Sequence, residues 1–124
     1  MTTLNRPQSP HFTMYRWPLT MVLSILHRVT GVALAAGFPM LMLWLLAVAG
    51  GERDYAELSA YLESAVGRLC LVAFTFAFFF HLANGVRHLV WDAGYGFEKH
   101  QTRVSGFLVI VVTVVLTLAY WLSL

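Results

Sequence analysis

Apolar residues along this chain fall into three long blocks rather than the short alternating runs of a soluble fold. Residues 29–49 and 104–124 each hold 21 positions without a charged side chain, and about 20 apolar residues cross a bilayer as a helix. A third block, 69–86, has 18 positions and contains one histidine, His81. It can lengthen at both ends, because Arg68 and Arg87 can snorkel toward the headgroups. The pattern predicts an all-α integral membrane protein, a single membrane domain over 1–124. Its three transmembrane helices span 19–49, 66–91 and 104–124.

The polar stretches between the blocks set the order of the chain. Residues 1–18 form a cytoplasmic arm punctuated by Pro7, Pro10 and Pro18, which favour extended or turn backbone and a late helix start. Pro39 lies inside the first block, where a membrane helix tolerates it as a kink, and Gly50-Gly51 ends that helix. The first loop carries Glu52, Asp54, Glu57 and Glu63 against Arg53; its Tyr55, Leu58, Tyr61 and Leu62 suit a short interfacial helix. The second loop, 92–103, carries Lys99 and Arg103. Counting Lys and Arg, the arm and the second loop are the basic sides. The positive-inside rule then puts the N-terminus in the cytoplasm and the C-terminus across the membrane. Trp17, Trp91 and the Tyr120-Trp121 pair sit where an aromatic belt is expected.

Composition agrees: 59% of residues are hydrophobic and 11% charged, too much apolar surface for a soluble domain of this size to hide. A net charge of +2, with no Lys/Arg stripe, excludes a phosphate-tracking nucleic-acid surface. The single cysteine, Cys70, cannot form an internal disulfide and reads as a packing residue. The first 16 residues carry Arg6 and Arg16 but no apolar run, so they read neither as a secretory signal nor as a mitochondrial transit peptide. A multi-pass protein of the bacterial inner membrane, C-terminus periplasmic, is expected. No Walker loop, zinc motif or dinucleotide fingerprint is present. Helix three offers only Ser105, Thr113, Thr117 and Ser123 as polar positions, which disfavours a transporter with a polar path.

Chemistry concentrates at the basic end of the bundle. In the second helix His81, Gly85, His88 and Asp92 share one stripe; in the first, Ser24, His27, Arg28 and Gly31 share another. A histidine at membrane depth is costly and marks a site, and imidazole is a common haem ligand. His81 and His88 are about 10 Å apart along a helix axis, so they cannot clamp one iron. This chain can then give one haem ligand, and a six-coordinate iron would need a histidine from another polypeptide. His81 is the deeper and so the preferred ligand; the alternative is an imidazole hydrogen-bonded between helices. Gly85 leaves room for a flat macrocycle or a neighbouring helix. Arg28, His27 and Arg87 can neutralise haem propionates, although Arg87 equally fits a snorkelling anchor. Ser24 and Arg28 can hydrogen-bond a quinone carbonyl, or Ser24 can bond back to its own helix. Asp92 is expected to pair with Arg87 or to cap the next turn.

Taken together these motifs resemble the larger cytochrome b membrane-anchor subunit of succinate dehydrogenase, respiratory complex II. Three stretches carry the likeness: Asn5-Arg6-Pro7-Gln8-Ser9-Pro10-His11 with Tyr15 behind it; Ser24-Ile25-Leu26-His27-Arg28-Val29-Thr30-Gly31; and His81-x-x-x-Gly85-Val86-Arg87-His88-Leu89-x-Trp91-Asp92-x-Gly94. Gln8 departs from the leucine usual in the mitochondrial and alphaproteobacterial branch. The resemblance implies that the three helices form part of a heterodimeric helical bundle. His81 matches the axial haem b ligand, His27 and Arg28 the propionate side, with Gly85 and His88 in the haem pocket. Ser24 and Arg28 match the ubiquinone pocket. It further implies a smaller anchor subunit supplying the second haem ligand, an iron–sulfur subunit, and a flavoprotein with covalent FAD that oxidises succinate, a step this chain does not perform. The same architecture also serves quinol:fumarate reductases, and a haem-free adaptor would share the helices but not the buried histidine.

Overall fold

The computed structural model describes residues 16–124. The expected arm motif, Asn5 to Tyr15, lies outside the described residues. Among those described, the chain is all helix: α1 (Leu19–Gly50), α2 (Glu52–Glu63), α3 (Ala65–Asp92) and α4 (Lys99–Leu122). Three of them, α1, α3 and α4, are long and apolar enough to cross a membrane.

Pro18 starts α1 from an extended conformation, and its carbonyl accepts from the N–H groups of Met21 and Val22. The 32-residue helix runs on through Pro39. At 1.5 Å per residue it is about 48 Å long, more than a bilayer core needs, so it reaches beyond the hydrocarbon. Gly51, at φ 100°, breaks it. The acidic loop forms a helix, α2, joined to α3 by Ser64. The Ser64 hydroxyl accepts from the Gly67 N–H at 3.1 Å and donates to the Tyr61 carbonyl at 2.6 Å, an N-cap of the usual kind.

One boundary differs from the apolar pattern. Helix α4 begins at Lys99, ahead of residue 104 where the apolar block starts. The stretch Lys99-His100-Gln101-Thr102-Arg103 is polar but contains no helix breaker, and hydropathy cannot see a helical turn that projects out of lipid. The second loop shrinks to residues 93–98, turned by Gly94 (φ 89°) and Gly96 (φ 81°).

Helix α3 is central, packed against both α1 and α4, while α2 bridges α1 and α3. Leu23, Phe80 and Val109 form the buried apolar cluster. Close approach of α1 and α4 depends on Gly106: a Cβ there would lie 2.9 Å from Leu23 Cδ1 and 3.2 Å from Leu19 Cδ2. Among the described residues four polar ones are buried as well, namely Asn84, Arg87, Thr113 and Thr117. Thr113 and Thr117 donate to the carbonyls of Val109 and Thr113, both at 2.7 Å. Most large apolar side chains instead point outward, as expected where lipid is the solvent.

Candidate functional site

The antiparallel packing of α1 and α3 brings the two predicted stripes together. His27 and His81 stack with ring centroids 4.0 Å apart and planes 8° from parallel. His88 lies 5.1 Å from His27 at 44° and meets Trp91 edge-on at 5.2 Å. A row of rings, His81–His27–His88–Trp91, thus runs from mid-helix toward the end of α3. The imidazoles stack rather than converge, and among the described residues no three His, Cys, Asp or Glu side chains could hold a bare metal ion.

His81 is half-buried. Its Nδ1 lies 3.1 Å from the His27 carbonyl oxygen and 3.2 Å from Thr30 Oγ1. Both contacts use Nδ1, which leaves Nε2 for another ligand. Helical spacing explains the arrangement, because His27, Thr30 and Gly31 share one face of α1. Gly31 makes the approach possible: a Cβ at that position would lie 3.0 Å from His81 Cε1. Gly85 is less crowded, with His27 Cε1 3.7 Å from where its Cβ would be; what approaches it is the His27 ring. His27 Nδ1 is buried and has no hydrogen-bond partner among the described residues.

Ser24 is half-buried and Arg28 exposed. Neither makes a side-chain hydrogen bond or ion pair among the described residues, and Ser24 does not bond back to its own helix.

Arg87 does not behave as expected. It neither snorkels nor turns toward the histidines nor pairs with Asp92, which is exposed. The residue is 5% exposed, and its guanidinium is held between α3 and α4. Nε donates to Ser105 Oγ at 3.0 Å, Nη1 to Asn84 Oδ1 at 3.3 Å and Nη2 to the Thr102 carbonyl at 2.9 Å. Its Cζ sits 4.1 Å above the Trp91 ring, and Trp91 Nε1 donates to the Gly96 carbonyl at 3.2 Å. Trp91, half-buried, thus packs against the guanidinium and ties the end of α3 to the following loop. The physical reason is rotational: Arg87 is one residue from His88, about 100° around the helix, and so faces α4 when His88 faces α1. Asn84, three residues earlier in an apolar stretch, is the sequence signal for this clamp. Thr30, three residues after His27, is the corresponding signal for the His81 contact.

Comparison with known proteins sets this geometry in a family. The family described as succinate dehydrogenase/fumarate reductase transmembrane subunit matches residues 2–120. The chain belongs to this family. It is 41% identical over 116 residues to the succinate dehydrogenase cytochrome b556 subunit of Rickettsia typhi, covering 94% of this chain and 90% of the relative. The Rickettsia conorii subunit of the same description is 42% identical with the same coverage. The mitochondrial succinate dehydrogenase cytochrome b560 subunit of Bos taurus is 44% identical over 115 residues, covering 91% of this chain and 68% of the relative. With three apolar spans and this membership, the chain is a multi-pass membrane protein.

Proposed function

We propose that this chain is the haem b-binding larger membrane anchor of a succinate:ubiquinone oxidoreductase. In this reading His81 would hold the haem iron through Nε2, with a second ligand expected from the smaller anchor subunit. The donor set suits the group: an imidazole whose Nδ1 is already engaged, as in most metal-ligating histidines, set in a half-buried seam. His27, Arg28 and His88 face the propionate side, and Gly85 keeps the pocket open. A bound haem adds a one-electron store beside the quinone.

Ser24 and Arg28 orient ubiquinone at the same end of the bundle. The Ser24 hydroxyl aligns a quinone oxygen, and the Arg28 guanidinium favours the negative charge that develops there during reduction. Succinate is oxidised elsewhere, by a flavoprotein with FAD, and electrons arrive through the clusters of an iron–sulfur subunit. Both subunits dock on the cytoplasmic face of a bacterial inner membrane, where the N-terminus lies. The names of the relatives, all succinate dehydrogenase subunits, favour the succinate-oxidising direction over fumarate reduction.

The observation that carries this reading is the seating of His81, with Nδ1 fixed on α1 and its ring stacked on His27, which His88 in turn approaches. The test is the reduced-minus-oxidised spectrum of the purified complex. A b-type band lost in His81→Ala is expected; a band that persists in His81→Ala, or a wild-type complex without haem, overturns it.

A further inference from the structure

We infer that Thr30 is a positioning residue for His81: its hydroxyl, with the His27 carbonyl, locks the imidazole in the tautomer that presents a lone pair at Nε2, and tunes that nitrogen as a donor. The inference rests on reading His81 as the haem ligand.

The His27 carbonyl sets the hydrogen-bond directions. The Thr30 hydroxyl has one proton, and Oγ1 lies 2.9 Å from the Leu26 carbonyl and 3.0 Å from the His27 carbonyl. Carbonyl oxygens only accept, so either can take that proton. His81 Nδ1 lies 3.2 Å from Oγ1 as well. The second neighbour of Nδ1 is the His27 carbonyl oxygen at 3.1 Å, again only an acceptor. An unprotonated Nδ1 would face the lone pair of that carbonyl, so Nδ1 carries the proton; the Thr30 proton then goes to the Leu26 or His27 carbonyl, and Oγ1 accepts from Nδ1 as well. In a neutral imidazole the other nitrogen is then the acceptor, and Nε2 is left basic and unprotonated.

Sterics add to this. The ring lies flat on His27 at 4.0 Å, and its Cε1 edge occupies the space that a Cβ at Gly31 would need. Thr30 and Gly31 thus act as one device, a hydrogen-bond acceptor next to a missing side chain.

Two acceptors on Nδ1–H push electron density toward Nε2. A stronger donor favours ferric over ferrous iron and lowers the reduction potential; outer-shell hydrogen bonding is one of the levers that set haem potentials. Thr30→Val keeps the branched shape but removes one of the two acceptors. Loss of such a partner typically weakens metal binding by about 10-fold or more. A tenfold drop in ferric preference corresponds to about 59 mV upward for a one-electron couple.

The experiment is potentiometric titration and haem quantitation of the purified complex carrying Thr30→Val, Thr30→Ala and Thr30→Ser. A rise in the haem midpoint and faster haem loss in Val and Ala are expected, with Ser restored to wild-type values because it keeps the hydroxyl. Unchanged midpoint and haem retention in Val overturn the inference, as does a defect in Ser with Val at wild-type values, which would mark a packing role. His81→Ala in parallel separates the layers. If it keeps the b-type band, the ligand assignment itself falls; if it loses the band while Thr30→Val matches wild type, only the role of Thr30 falls.

Discussion

Replacing Arg87 is the sharpest test of the packing, because the structure and the bare sequence disagree about this residue. A snorkelling arginine could become lysine or methionine at little cost. The observed guanidinium makes two hydrogen bonds across to α4, to Ser105 and Thr102, and one to Asn84 on its own helix. Interhelical hydrogen bonds in membranes average about 0.6 kcal/mol each, so the two crossing bonds contribute about 1.2 kcal/mol. Asn84 matters more. It is 0% exposed, its Nδ2 already lacks a partner among the described residues, and Arg87 is what its Oδ1 accepts from. Orphaning such a group costs about 1–3 kcal/mol. Arg87→Met should therefore destabilise the protein by about 2–4 kcal/mol, the crossing bonds and the stranded amide together. Arg87→Lys should lose a large part of the same amount, since a single ammonium cannot reproduce a planar fork with three separate partners. The assay is denaturant-induced loss of helical signal in mixed micelles, with Asn84→Ala and Asn84→Ala/Arg87→Met completing a double-mutant cycle. The double variant should be less destabilised than the sum of the singles by about 1 kcal/mol or more. A neutral Arg87→Lys together with strict additivity would refute the clamp.

Other consequences are open to direct measurement. Arg28→Leu should lower quinone reduction far more than succinate oxidation followed with an artificial acceptor; equal loss of both would exclude a quinone role for this exposed side chain. Chain 1–124 purified alone should bind haem poorly, because it holds half of the axial ligation; tight six-coordinate haem in the isolated chain would contradict the shared site. Gly106→Val should push α4 away from Leu19 and Leu23 and cost about 1–3 kcal/mol, as overpacking generally does, read as a lowered unfolding midpoint in the same micelles.

What the residues announce and what they hide follow a physical line. Membrane helices declare themselves by length and apolarity, so the spans, and the short helix α2 between the first two, are legible in the pattern. The meeting of His27 with His81 is half legible: two stripes at the same membrane depth suggest it, but only rotation of α1 against α3 makes the rings stack. Arg87 misleads because a cation near a helix end looks the same whether it rises toward headgroups or turns inward. The choice is made by Ser105 and the Thr102 carbonyl, partners 15 to 18 positions away, which helical periodicity in one segment cannot reveal. Thr30 escapes notice for a related reason. Its role comes from meeting a different helix's imidazole, and a threonine in an apolar stretch ordinarily satisfies itself.

The polar clamp around Arg87 also bears on how the protein enters its membrane. All the acceptors of that guanidinium belong to α3 or α4, and α1 contributes none. A helical hairpin made of residues 65–122 thus satisfies the donors of its own most awkward cation without help from the first helix. Biogenesis can then proceed by inserting that hairpin as a closed unit, leaving assembly of the histidine seam to a later, separable stage.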